Sequence, residues 1–298
     1  MVAASENIGK VLTDAMRDVA GANDELRGVF TVDWNAPAPD ASGKKLIPNE
    51  VVLALINHFG EVDLSNKAVP SDVLGHAYEY LLKQFADDAG SKAGEFFTPP
   101  EIVDTLVRML QPRAGDTIYD PTVGSGGMLV HSADYLREHG HKATTAQYFG
   151  QEMNWSNYAI GKINSVLHGL EADIRGGASS ITDPQFFDHG TVRRFSLILA
   201  NFPFSDEQWW LKSEQKTDDA KKKKLVDEVF KKEGYLDPYS RFGKGTGLPA
   251  PPPGYGDYAF ILHILASLEE GGRGGGVSTG SFIPGATGGR GGNRRVRC

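Results

Sequence analysis

Cysteine is nearly absent: among 298 residues only Cys298 carries a thiol. An internal disulfide and any cysteine-based metal cluster are thereby excluded. Attack on cytosine C5 is excluded as well, because it needs an internal cysteine nucleophile. Long apolar runs are missing, and no stretch approaches the roughly 20 residues of a membrane span. Positive charge is in deficit, with 31 Lys and Arg against 38 Asp and Glu and a net charge of −7. A stand-alone nucleic-acid binder is usually basic, so a DNA substrate would need another subunit for much of the phosphate contact. The eight histidines are scattered without metal-ligand spacing, and no metal is expected. His168, at a helix end, reads as structural. The Gly-x-Gly-x-x-Gly spacing of dinucleotide folds is also lacking. Residues 1 to 21 mix charges with apolar residues and form no signal peptide. A cytoplasmic protein without membrane contact is the expectation.

What is present divides the chain in two. Residues 1–92 read as a helical N-terminal domain, a lid or docking element. Val51 to Ile56 and Val73 to Leu82 carry apolar residues at helical spacing, Pro70-Ser71-Asp72 is a helix start, and Asp33 to Lys45 is a loop. Residues 93–298 read as the catalytic domain, incomplete at its C-terminus. Thr98-Pro99-Pro100-Glu101 predicts a capping box with Thr98 as N-cap, opening a helix over Ile102 to Leu110. Strands follow at Thr117, at Tyr148 to Glu152 and at Phe195 to Ala200, with helices after Gly127 and from about Asn157 to His168. This alternation predicts an α/β fold, a mostly parallel sheet with helices on both faces. Residues 211 to 256 break the rhythm and read as a partly mobile surface insertion. Its lysines, 221 to 224 and 231 to 232, are either a solvated helix face or contacts to DNA phosphates. Eleven glycines fall in the last 28 residues, and the expectation is that the chain from about Gly271 forms no further strand.

Two constellations carry chemistry. Asp120-Pro121-Thr122-Val123-Gly124-Ser125-Gly126-Gly127 follows a strand and opens a helix, and its glycines allow close backbone approach to a ligand. Asp120 stands at the carboxyl end of the strand, where α/β sheets bind ligands. A carboxylate there repels phosphate and attracts a sulfonium or ammonium group, favouring S-adenosylmethionine over a dinucleotide. Glu152 closes the next strand, placed to accept hydrogen bonds from ribose hydroxyls. Asn154 and Trp155 either line an adenine pocket or pack. The second constellation, Asn201-Phe202-Pro203-Phe204, ends the strand from Phe195. An aromatic amine is a poor nucleophile because its lone pair is delocalised into the ring. The Asn201 side-chain oxygen and a backbone carbonyl near Phe202 can accept both amino hydrogens and aim the nitrogen at a methyl donor. Pro203 stiffens the turn, and Phe204 offers a face on which a flipped-out base can stack.

At this point the chain resembles the modification subunit of type I restriction–modification systems, an N6-adenine DNA methyltransferase family. The resemblance is carried by Leu74-Gly75-His76-Ala77-Tyr78-Glu79-Tyr80-Leu81-Leu82, by Gly94 to Pro100, by the Asp120 to Gly127 turn, and by Gln151 to Asn154 with Ala159 to His168. It implies a Rossmann-like S-adenosylmethionine-dependent methyltransferase domain. It also implies cofactor contacts from Phe96, Phe97, Thr98, Pro99, Asp120, Thr122, Gly124, Ser125, Gly126, Gly127, Glu152 and Asn154, and a catalytic motif at Asn201, Phe202, Pro203 and Phe204. The implied partners are DNA, a specificity subunit, a restriction subunit and a second copy of the chain.

Three departures stand out. Phe202 replaces the first proline of the usual Asn-Pro-Pro-aromatic motif. The segment Gly176 to Ser180 lacks the acidic or amide residue that often follows the third strand, leaving Asp183 as a loose candidate for adenine contact. The tail from Gly271 only hints at the family's next strand. Two alternatives therefore stay open: a non-catalytic or truncated remnant that binds cofactor or partner subunits, and an N-methyltransferase acting on protein glutamine or RNA.

Overall fold

Alternation along two neighbouring strands sets the architecture. The computed structural model describes residues 7–40, 43–65, 67–89, 97–203, 206–212 and 217–277. In β1 (Thr117–Asp120) and β6 (Phe195–Asn201) successive side chains point to opposite faces of the sheet. Ile118, Leu197 and Leu199 join one buried cluster with Val103, Val107, Leu129 and Leu136. Tyr119, Ile198 and Ala200 join a second cluster with Phe260 and Ile264. The sheet is therefore apolar on both faces and helices cover both. On the first face lie α4 (Pro100–Leu110), α5 (Gly127–Glu138) and α6 (Trp155–Leu167), and on the second lies α8 (Gly256–Ala266).

The sheet has five strands in the order β3-β2-β1-β6-β7, with β2 spanning Gln147–Glu152, β3 Ala172–Gly176 and β7 Leu268–Val277. All its pairings are parallel. Strand order reverses between β1 and β6, so the crevice beyond their carboxyl ends is the natural ligand site of such a sheet. A small antiparallel pair, β4 (Phe187–Asp188) and β5 (Thr191–Val192), stands apart. Ahead of the sheet come α1 (Ile8–Ala22), α2 (Asn49–Gly60) and α3 (Ser71–Ala89), and α3 packs against α6. Among the described residues no helix is long and apolar enough to cross a membrane.

Three expectations need correction. The glycine-rich chain after Gly271 does form a strand as far as Val277, pairing Arg273 to Val277 with Leu197 to Asn201. Backbone hydrogen bonding to β6 holds it, and neighbours fill the space its side chains lack. A Cβ on Gly275 would lie 2.8 Å from Leu106 Cδ1, and one on Gly276 2.9 Å from Phe202 Cε1. Arg273 adds an anchor, donating to Leu110 O at 2.7 Å and to Asp116 Oδ2 at 2.5 Å. The remainder of the tail, 278–298, lies outside the described residues.

The second correction concerns Thr98, which is not a helix cap. Helix α4 starts at Pro100 with Pro99 as its N-cap residue, at φ −52° and ψ 135°. Pro100 pushes the residue before it out of the helical region, so the helix begins one position later than the capping-box pattern suggests. The third concerns the insertion, which is more than a surface loop. It carries α7 (Asp219–Val226), and Trp209, Phe230, Tyr235 and Phe242 pack ring against ring. Phe242 is completely buried.

Candidate active site

The turn after β1 is pressed onto α6. Gly124 and Gly126 take φ values of +51° and +81°, a region costly for residues with a Cβ. Gly161 on α6 permits the approach, since a Cβ there would sit 2.7 Å from Gly124 O. Asn164 Nδ2 donates to Ser125 O at 2.9 Å. Gly126 is the N-cap residue of α5 and Gly127 its first residue.

Two carboxylates bracket the turn. Asp120, 1% exposed, accepts from the Thr122 backbone N–H through Oδ1 at 2.9 Å. Glu152 accepts from Gly124 N at 3.0 Å through Oε2 and from Asn154 N at 2.8 Å through Oε1. Burial pushes the Asp120 carboxyl up to about 7; the Thr122 N–H pulls it down and the neighbouring Glu152 charge adds to the rise. Burial also raises Glu152, against backbone donors from Asn154, Gly124 and Met153. Desolvation that penalises a charged carboxylate is relieved by a nearby cation, so this pair suits a positively charged ligand.

The ends of β2 and β6, at Glu152 and Asn201, and the turn that follows Asp120 open onto one cleft. Pro121, Thr122, Glu152 and Asn201 line it, with Pro203 and Asp206 beyond the β6 end. Asn201 is fixed from two sides. Its Nδ2 donates to Thr98 Oγ1 at 2.9 Å, and its backbone carbonyl accepts from Thr122 Oγ1 at 3.2 Å. With the amide so oriented, Asn201 Oδ1 is buried and meets no donor among the described residues. A buried acceptor without a partner is costly, and here it belongs to a residue that lines the cleft.

Some expected site residues serve otherwise. Asn154 Oδ1 caps α6, accepting from Ser156 N and Asn157 N, so this residue positions the strand end and Glu152. Trp155 packs over Gly177, where a Cβ would lie 2.5 Å from its ring. Phe202 is 3% exposed and stacks on Phe260 at 5.4 Å with 4° between ring planes. Its side chain is core, leaving only its backbone for the site. Ser125 is buried within the turn. Phe97 and Thr98 are half-buried and Pro99 is exposed just ahead of α4. Phe96 and Phe204 lie outside the described residues. Asp183 is tied into the structure through its carbonyl, which accepts from Gln151 Nε2 at 2.9 Å.

Another wall of the cleft is Ser179-Ser180-Ile181, after β3, with Trp209 and Phe260, none of them among the expected site residues. Arg241 holds that wall. Its side chain is enclosed, and it donates to Ser180 O at 3.0 Å and to Ile181 O. Asp237 pairs with it at 2.9 Å through both carboxylate oxygens. Burial and the Arg241 charge hold His263 well below the ordinary imidazole range. The neutral ring thus accepts at Nδ1 from Arg241 Nη1 at 2.9 Å and presents Nε2–H to Tyr119 Oη at 3.4 Å. The i, i+4 spacing of Asp237 and Arg241 was visible in the sequence, but their burial was not. Another hollow, lined by Lys162 and Asp173, sits at the amino ends of β2 and β3 and contains none of these groups.

A parallel sheet with its cleft at the reversal of strand order, an acidic glycine turn on one side and an Asn-x-Pro turn on the other, is the fold of S-adenosylmethionine-dependent methyltransferases. A solved putative class I S-adenosylmethionine-dependent methyltransferase from Listeria monocytogenes shares it, with a TM-score of 0.54 at 12% identity over 95% of this chain and 76% of that one. Within that class the chain belongs to the N-6 DNA Methylase family, whose model matches residues 69–290. It is similar to the type I restriction enzyme HindI methylase subunit of Haemophilus influenzae, 29% identical over 89% of this chain and 53% of the relative. It also resembles the solved type I restriction–modification system methyltransferase subunit from Streptococcus thermophilus, with 27% identity and a TM-score of 0.63 over 89% of this chain and 50% of that one. The chain spans about half the length of the curated relatives it matches.

Proposed function

We propose that this chain transfers a methyl group from S-adenosylmethionine to the N6 amino group of adenine in DNA, as the modification subunit of a type I restriction–modification complex in the cytoplasm. The observation that carries the reading is the unpartnered Oδ1 of Asn201, on a residue lining the same cleft as Glu152 and the turn that follows Asp120. An acceptor held in place before the substrate arrives needs no reorganisation during reaction. In this reading Asn201 Oδ1 and the Phe202 carbonyl accept the two amino hydrogens and localise the nitrogen lone pair.

In charge, the residues around the cleft suit the cofactor, which supplies an electrophilic methyl on a sulfonium. Asp120, raised by burial, gains from a cationic sulfonium and ammonium, and Glu152 accepts from the ribose hydroxyls. Thr122, Gly124, Ser125, Gly126 and Gly127 form the turn around it, with Phe97, Thr98 and Pro99 on the flank that reaches Asn201, and Phe96 is a further proposed contact. Ser179 to Ile181, held by Arg241, form the wall beyond Glu152. Pro203 and Phe204 receive the flipped base. Residues 1–92 act as the helical docking domain and 93–298 as the catalytic domain. With an acidic chain, the specificity subunit supplies sequence reading and much of the DNA contact, and a restriction subunit and a second copy complete the assembly. The similarity to type I methylase subunits supports DNA as substrate over RNA or protein glutamine.

The test is product analysis. The chain is purified with a specificity subunit and incubated with S-adenosylmethionine and unmethylated DNA, and the DNA is digested to nucleosides for mass spectrometry. N6-methyladenine is the expected product. A complex that binds cofactor and DNA yet leaves every base unmodified would establish the non-catalytic alternative.

A further inference from the structure

At the opposite end of α6 from the cleft, the contact between α3 and α6 gathers side chains that methyl transfer does not use. His76 and Glu79 are three residues apart on α3, the spacing that puts both on one helix face. His168 follows the last residue of α6, too distant in sequence for any linear pattern to join it to them. One donor atom from each of the three lies within 4.8 Å of the others. Glu79 Oε1 is 3.9 Å from His168 Nε2, and Glu79 Oε2 is 3.9 Å from His76 Nδ1. The His168 side chain is 3% exposed, and its Nε2 is buried with no hydrogen-bond partner among the described residues. Space for the ring is made by Gly75, where a Cβ would sit 2.6 Å from His168 Nε2.

We propose that His76, Glu79 and His168 bind one divalent metal ion of the zinc class. Two imidazoles and a carboxylate, with a fourth position open to water, are a ligand set that zinc uses. Bonds of about 2.0–2.1 Å place tetrahedral neighbours roughly 3.4 Å apart, and the donors, within 4.8 Å of one another, close onto an ion by shifts of up to roughly an ångström. Magnesium and calcium, which take oxygen ligands, do not suit a site with two imidazoles. His76 is exposed, which gives the ion a path in and water a place beside it. His131 backs the site from behind. Its Nε2 lies 3.6 Å from Glu79 Oε1 and its Nδ1 2.6 Å from Asp104 Oδ1, an outer partner of the kind that orients a ligating carboxylate. The ion ties α3 to the end of α6, joining the N-terminal helices to the sheet-bearing part of the chain.

Tag-free full-length chain, stripped with a chelator and dialysed, is titrated with zinc by calorimetry and by thermal denaturation. One equivalent binds, the denaturation midpoint climbs with zinc concentration, and magnesium produces no shift. Cobalt in place of zinc gives visible d–d absorption. His76→Ala alters an exposed position, and His168→Gln alters a buried one. Each weakens zinc binding by at least about 10²-fold, as loss of a direct ligand should exceed the 10–100-fold effect of an outer partner. His58→Ala, at an exposed histidine on α2, leaves the affinity unchanged. If His168→Gln does not fold, His76→Ala decides alone. A folded parent that binds no zinc, or zinc binding that is undiminished in His76→Ala, overturns the assignment.

Discussion

The side chain of Asn201 donates from Nδ2 to the hydroxyl of Thr98 at 2.9 Å. This bond crosses from the end of β6 to the segment leading into α4. It decides which atom of the amide is left unpaired: the nitrogen is taken by Thr98, and Oδ1 meets no donor among the described residues. Thr122 Oγ1 meets the Asn201 carbonyl at 3.2 Å, so hydroxyls from two separate segments hold the end of β6.

Replacing Thr98 by valine keeps the shape and removes the acceptor. One hydrogen bond of about 1 kcal/mol corresponds to roughly fivefold to tenfold in rate. Thr98→Val should slow single-turnover methylation by about that factor, and Thr98→Ser should restore it. A Thr98→Val rate equal to the parent would show that the amide needs no such orientation.

Asp120 gives the cleft a pH dependence. Its carboxyl is raised from 3.8 to about 7, so in the window between those values the folded chain holds a proton that the unfolded chain does not. Through this group stability is lowest above about pH 7 and improves as pH falls through 7 towards 3.8. Cation binding runs the other way, because the ionised carboxylate is the binding form. Affinity for S-adenosylmethionine should fall by up to about tenfold per pH unit below 7, with proton release on binding at pH 6.5. Calorimetry in buffers of different ionisation enthalpy measures both, and Asp120→Asn should abolish the release. The same proton count in Asp120→Asn would place the titration elsewhere.

Arg241 is buried with Asp237 (3% and 1% exposed). Arg241→Met leaves the Asp237 charge unpaired and should cost about 3–5 kcal/mol of stability. The double variant Asp237→Leu with Arg241→Met should recover much of that loss in denaturant titration. The Ser180 and Ile181 carbonyls stay unheld in the double variant, so its affinity for S-adenosylmethionine should remain below the parent's. Parental affinity in a stable double variant would mean that Arg241 supports the fold without shaping the cleft wall.

Much of this was legible in the sequence, because strands with buried faces and turns with forced backbone angles announce themselves. Strands β1, β2 and β6 and the turn from Asp120 to Gly127 stood out by apolar runs and glycine spacing. Strand β7 did not. Its glycines are compensated by Leu106, Leu110 and Phe202 leaning in from other elements, and sequence pattern does not register a neighbour's side chain. Phe202 has the same origin: the ring that replaces a proline fills the space beside Gly276 and stacks on Phe260. Thr98 reads as a local cap in the sequence because its spacing to Glu101 fits one. Its actual partner, Asn201, is 103 residues away. The Arg241 contacts with the cleft wall and the His76, Glu79 and His168 cluster are likewise products of tertiary contact.

The most direct measurement compares Asn201→Ala with the parent chain, each with a specificity subunit, in transfer of labelled methyl to DNA under saturating cofactor. Loss of one well-placed polar group in such a site costs about 10²–10³-fold in rate. Turnover should drop by that amount. S-adenosylmethionine affinity should stay within a few-fold, since Asp120 and Glu152 end different strands from Asn201. An Asn201→Ala chain that methylates adenine at the parent rate would contradict the assignment of Asn201 and the reading of the cleft built on it.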